Sequence, residues 1–222
     1  MNLLLSCEHY SNALPASYEV FFKEHQTILY SHRGYDPGAA NLFDNLKSLA
    51  TFHIHYPWTR LLIEPNRSLH HPNLFSEITM LLPASERKAL ITNFYRPYRE
   101  SIFQQVNKMI GPEPMIHLSI HSYTRILHRE IRNGDIGILY DPSIGKEKEA
   151  AKQLAGLIRC QLPHLKLRKN YPYRGKADGL TTALRQSFNS EYIGIEIEVC
   201  NDIIATTHIG IYNAVKQLLQ GS

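Results

Sequence analysis

The chain has 222 residues, 43% of them hydrophobic and 20% charged, with a formal net charge of +4. This usage excludes a disordered chain, and the length suits one sizeable folded domain over residues 1–222 better than two minimal ones. The positive charge is small and scattered, which speaks against a nucleic-acid binder and suits a small acidic ligand.

Leu3 to Cys7 reads as a short buried strand, with Glu8, His9, Ser11 and Asn12 in the loop after it. The opening meets Glu8 and His9 too soon for a signal peptide, and no uncharged run of about 18 residues would span a membrane. Asp36-Pro37 starts a stretch in which Ala39, Leu42, Phe43, Leu46 and Leu49 recur at helical spacing; Asp36 can cap it and Pro37 suits its first turn. Thr51 to Tyr56 and Arg60 to Glu64 read as strands, leading to a loop with His70, His71 and Pro72. A long helical pattern runs from Ala84 towards Ile110, with Pro97 expected to kink or interrupt it.

Met115 to Ile120 is a strong strand candidate. Period-two alternation puts His117, Ser119 and His121 on one face and Ile116, Leu118 and Ile120 on the other. Ile136 to Tyr140 is a further strand, while Glu147 to Leu162 and Ala177 to Phe188 read as helices. In Ile193 to Val199 the apolar residues point one way, and Gly194, Glu196 and Glu198 the other. Thr206 to Leu219 closes with a helix. The alternation predicts an α/β fold, a mostly parallel or mixed sheet with helices on both faces, and a ligand site beyond the strands' carboxyl ends.

His9, His121 and one carboxylate would meet the needs of a catalytic zinc, which takes three protein ligands and keeps a place for water. No HExxH motif is present, and twelve histidines allow accidental combinations. Each candidate has an ordinary alternative: His121 as a strand-end residue bonded to backbone, His9 as a loop residue, Asp36 as a helix cap. Glu8 is another source of the carboxylate, provided the loop bends, because neighbours in a strand face opposite sides. Glu196 and Glu198 stand on an apolar strand, where burial beside a metal would tune one as a general base; the alternative is an edge strand with both in solvent. Arg60, Arg67 and Arg174 are candidates for reading a carboxylate. Ser119 and Ser122 lack a GxSxG elbow, and no phosphate-binding glycine loop occurs. Cys7, Cys160 and Cys200 are odd in number and far apart, which suits a reducing cytoplasm.

Five motifs then stand in order: Ser-Cys-Glu-His-Tyr-Ser-Asn at 6–12, Tyr-Asp-Pro-Gly-Ala at 35–39, Arg-Leu-Leu-Ile-Glu-Pro-Asn-Arg at 60–67, Ser-Ile-His-Ser-Tyr-Thr at 119–124 and Glu-Ile-Glu-Val at 196–199. With Tyr95-Arg96-Pro97-Tyr98 and Gly137-Ile138-Leu139-Tyr140 between them, they resemble the N-formylglutamate amidohydrolase family over about residues 3–202. The resemblance implies a three-layer α/β/α fold similar to the zinc carboxypeptidases, and hydrolysis of an N-acyl amide. It makes His9 and His121 metal ligands, Asp36 a third ligand or close support, and Glu198 the general acid/base. Arg60, Asn66, Arg67 and Arg174 would face the substrate, with Glu8, Ser122 and Glu196 in support. One departure is Arg99, where the family's Tyr-x-Pro-Tyr segment usually continues with His. Two alternatives stay open: a broader N-acyl-amino-acid hydrolase or carboxypeptidase-like enzyme, and a catalytically silent binding homologue.

Overall fold

The structure is a computed structural model that describes residues 1–221. β1 (Asn2–Cys7) is followed by a 3-10 stretch over Ala16–His25, the single turn α1 (Gln26–Leu29) and α2 (Ala39–Leu46). Next come β2 (Phe52–His55), an irregular excursion, α3 (Ala84–Leu90), α4 (Arg96–Met109) and β3 (Met115–Tyr123). A small hairpin, β4 (Ile126–Leu127) with β5 (Glu130–Ile131), leads to β6 (Ile136–Leu139), α5 (Gly145–Gln161) and β7 (Leu167–Lys169). The last elements are α6 (Leu180–Phe188), β8 (Gly194–Cys200) and α7 (Ile204–Gln220). Among the described residues no helix is long and apolar enough to cross a membrane.

The sheet runs β2-β1-β3-β8-β6-β7, and every pairing is parallel except β6 with β8. Its mostly parallel character follows from the helices between strands, since a parallel return needs a long crossover. Leu3, Leu5, Ile116, Leu118, Ile120, Ile195, Ile197 and Val199 form one buried face with α2, α5 and α7. The opposite face meets a second core drawn from α3, α4, α6 and the excursion after β2. This gives three layers, α/β/α.

Three local expectations are corrected. Arg60 to Glu64 is buried but is a run of turns, not a strand. Thr59 Oγ1 bonds to the Gly34 carbonyl and accepts Leu61 N–H, so side chain–backbone bonds replace a ladder there. Asp36 does not cap α2; Gly38 occupies that position with φ 85°, and only the Asp36 backbone carbonyl meets Ala39 N–H. α6 begins at Leu180 rather than Ala177, where Asn66 Oδ1 accepts Leu180 N–H at 2.7 Å and so caps it from a distant loop. The expected interruption near Pro97 is present: the helix from Ala84 passes through a π-helical turn at Ile91–Tyr95, where Arg96 N–H meets the Ile91 carbonyl, and α4 starts just before the proline.

Candidate active site

The strand register sets the site. β3 and β8 pair Ser119 with Glu196 and His121 with Glu198, so the predicted polar faces lie side by side. β8 is interior to the sheet, which removes the solvent-edge alternative: Glu198 is 4% exposed. Across β6, Gly137 is opposite Glu198, and a Cβ there would collide with the Tyr171 carbonyl. Only glycine lets the 170–175 loop pass this close. Asn170 Oδ1 pins that loop by accepting N–H bonds from Tyr140 and Gly175.

Beyond the strand ends, His9, Asp36 and His121 are all buried and offer three ligand atoms within 4.8 Å of one another. The Nδ1 atoms of His9 and His121 lie 3.3 and 3.0 Å from Asp36 Oδ2, which also accepts Ser122 N–H at 3.2 Å. The chain turns after β1, so Glu8 and His9 both reach this region. Glu8 does not join the three convergent atoms; it stands behind His121, with Oε2 at 3.0 Å from Nε2. Ser122 Oγ donates to the Pro37 carbonyl, tying β3 to the loop that carries Asp36.

Electrostatics in this cluster is a contest between burial and proximity. Burial alone would raise the Asp36 pKa, but the neighbouring histidines hold it well below the usual carboxylate range. Burial would lower the His121 pKa, yet its hydrogen bonds to the Asp36 and Glu8 carboxylates push it well up, and His9 also shifts upward. Two ring nitrogens and a carboxylate oxygen facing one another need a positive centre among them, supplied either by ring protons or by a metal ion. Two imidazole nitrogens, one carboxylate oxygen and an open side fit a catalytic zinc site.

Glu198 faces the cluster and behaves differently. Burial, reinforced by Asp36 and Glu196, raises its pKa to about 7, and its Oε2 has no hydrogen-bond partner among the described residues. Glu196 is bonded to Thr181 Oγ1, so the two carboxylates of this strand differ in what they can do.

Arg60, Asn66, Arg67, Arg174, Ser122, Glu196 and Glu198 line one cavity of about 150 Å³ together with His9, Asp36 and His121. The arginines are not equivalent. Arg60 is committed to Glu64, at 2.7 Å through Nε, and approaches Asp36 at 3.5 Å. Arg67 donates to the Asp178 carbonyl, whereas Arg174 is exposed and has no side-chain partner among the described residues. Arg99 lies outside the cavity: it bonds the Pro65 carbonyl at 3.1 Å and sits over the Tyr95 ring, bracing the loop that presents Asn66 and Arg67. Sequence reasoning missed Glu64, which holds His9 Nε2 at 2.7 Å, and Tyr173, which lines the cavity. Glu64 lies in the 60–67 motif four residues from Arg60, and that pairing was its available signal.

A mixed α/β sheet with a buried His–Asp–His cluster and a free carboxylate at its strand ends defines an α/β protein whose site could hold a metal ion. The chain belongs to the N-formylglutamate amidohydrolase family, whose profile matches residues 1–205. It is therefore a member of a hydrolase family acting on amides. Among solved structures it is similar to the gene product Atu2144 from Agrobacterium tumefaciens, with 24% identity, 99% of this chain and 91% of that chain covered, and a TM-score of 0.80; this shows a shared fold. The N-acetylmuramyl-L-alanine amidase Ami1 from Mycobacterium smegmatis aligns at 10% identity over 100% of this chain and 98% of that one, with a TM-score of 0.43. Bovine thrombin-activatable fibrinolysis inhibitor aligns at 11% identity over 100% and 84%, with a TM-score of 0.44. Neither of these two remote likenesses bears on the chemistry. Comparison with curated proteins gave no match.

Proposed function

We propose that this protein hydrolyses the amide bond of a small N-acyl amino acid of the N-formylglutamate type, with zinc held by His9, Asp36 and His121. The observation that carries this reading is Glu198, buried opposite the cluster with one oxygen unpartnered and a pKa near neutrality, about 7. Zinc bound at the cluster would polarise the acyl carbonyl and acidify water. Glu198 takes a proton from the attacking water and passes it to the leaving nitrogen, as a new C–O bond replaces the C–N bond. The products are a carboxylic acid, formate for a formyl substrate, and a free amino acid. Arg174 and Arg67 bind the substrate carboxylate, because Arg60 is already engaged by Glu64 and Asp36. Asn66, whose Oδ1 caps α6, keeps its amide NH2 for the substrate.

The widely spaced, unpaired cysteines favour a reducing cytoplasm as the place of action. A broader N-acyl-amino-acid hydrolase is favoured by one feature. A second, wider hollow of about 650 Å³, lined by His32, Arg33, Phe75 and His128, shares Arg60 with the site cavity, and a longer acyl or peptide extension would occupy it.

A panel of N-formyl, N-acetyl and peptide substrates, run with and without a chelator, tests both. Chelator-sensitive release of formate from N-formylglutamate is the expected result. Preference for longer acyl groups selects the broader reading, and no hydrolysis across the panel with no bound metal selects a silent homologue.

A further inference from the structure

His9 and His121 come from different segments, yet their surroundings follow one plan. Each ring turns Nδ1 towards Asp36 and leaves Nε2 facing a buried carboxylate: Glu64 Oε1 at 2.7 Å from His9, and Glu8 Oε2 at 3.0 Å from His121. We infer that Glu8 and Glu64 are a matched pair of positioning residues, each accepting the Nε2–H of one histidine and thereby fixing both rings with their Nδ1 lone pairs towards Asp36. This rests on the reading that His9, Asp36 and His121 hold a divalent ion.

The hydrogen-bond inventory assigns the ring protons. Around His121, Tyr98 O–H donates to Glu8 Oε1 at 2.9 Å and Ser119 O–H donates to Glu8 Oε2. Ser119 has one proton, already given to the carboxylate, so at 2.9 Å from His121 Nε2 its oxygen can only accept. Nε2 therefore carries hydrogen, shared between Glu8 and Ser119, which leaves Nδ1 as the ring nitrogen available to a metal ion beside Asp36. Around His9, Glu64 Oε1 accepts Asn66 N–H at 3.0 Å while Arg60 grips Oε2, so this carboxylate is ionised and must also receive hydrogen from Nε2. Carboxylates placed behind ligating imidazoles set the tautomer, hold the ring plane and raise ligand basicity.

The pair is not symmetric in charge. Glu64 shares its charge with Arg60, at 2.5 Å from Nη2, whereas Glu8 is wholly buried and His121 is its only cationic ion-pair partner among the described residues. Among the described residues no arginine or lysine pairs with Glu8 to offset its influence on His121, so its removal has the larger effect. This also gives Glu8 a reason to be charged at a fully buried position, where an unpaired carboxylate would be strongly unfavourable.

The test measures zinc affinity of the metal-free full-length protein by competition with a chromophoric chelator, together with the visible absorption of the cobalt-loaded protein. Glu8→Gln keeps an acceptor and loses the charge, so affinity falls about tenfold; Glu8→Ala loses both and falls about a hundredfold. Glu64→Gln falls several-fold, and the cobalt bands shift in each variant. Ser119→Ala gives a smaller shift in the same direction and serves if Glu8→Ala does not fold. Ser6→Ala, which removes a neighbouring buried bond to His117, leaves affinity and spectrum unchanged, because it touches neither site histidine. Wild-type affinity and spectra in Glu8→Gln, Ser119→Ala and Glu64→Gln, while His121→Ala loses zinc, would overturn the positioning role alone. A wild-type protein that binds no zinc, or His121→Ala binding it normally, would overturn the ligand set and this inference with it.

Discussion

On one face of the three central strands, Leu5, Leu118 and Ile197 are buried against helices; one residue along on the same strands, Ser6, Ser119 and Glu198 point the other way and are buried as well. Burial is equal, but what burial demands differs. The apolar face is stabilised by removing carbon surface from water and is indifferent to the direction of any single contact. The polar face holds only if each buried donor and acceptor meets a partner. Ser6 and Tyr192 do so through His117, and Glu8 through Tyr98, Ser119 and His121. Glu198 Oε2 does not, and an unmet acceptor on an otherwise satisfied face is where chemistry should be sought.

The sharpest way to break this contrast is Glu198→Gln. Turnover should fall by about 10²- to 10⁴-fold, as for loss of a general acid–base, with zinc content unchanged; steady-state kinetics beside metal analysis would decide it. Wild-type turnover should rise with pH through the region of about 7, since the base acts only when ionised, and a bound divalent ion shifts that limb lower. The folded pKa of Glu198 is raised from 4.5 to about 7, so its stabilising contribution is complete below the unfolded carboxylate value and is lost progressively as pH climbs from there to about 7. Metal-free Glu198→Gln should accordingly melt higher than wild type above neutrality.

The apolar face should give the reverse pattern. Leu118→Ala should lower unfolding stability by about 2–5 kcal/mol in a denaturant titration, with kcat of the folded enzyme little changed. A large loss of kcat without loss of stability would mean the two faces are not separable. The smallest effect is expected at the cavity mouth: Arg174→Ala should raise KM about tenfold and leave kcat nearly intact, because an exposed charge-assisted bond to substrate is removed. An unchanged KM would assign the carboxylate to Arg67 instead.

Much of this was legible in the chain. Alternation in Met115 to Ile120 and Ile193 to Val199 foretold both faces, because side-chain direction in a strand is a local property. The ordered motifs pointed to the family that the profile match shows. Less legible was Asp36, whose place before α2 suggested a cap, whereas Gly38 takes that position and frees the carboxylate for two histidines. Arg60 to Glu64 looked like a strand because Leu61, Leu62 and Ile63 are apolar; they are buried, but by loop packing instead of pairing.

The sequence by itself determined which residues face the same side of each strand, and which side chains were available for chemistry. The fold decided which of them meet: His9, Asp36, Glu64, His121 and Glu198 come from five separate segments, and strand order and loop paths alone set their distances. It also decided that Arg60 is held by two acids while the Arg174 side chain has no partner among the described residues. Local propensity acts over a few residues, whereas the partner of a buried charge is fixed by long-range packing that no short window of sequence contains.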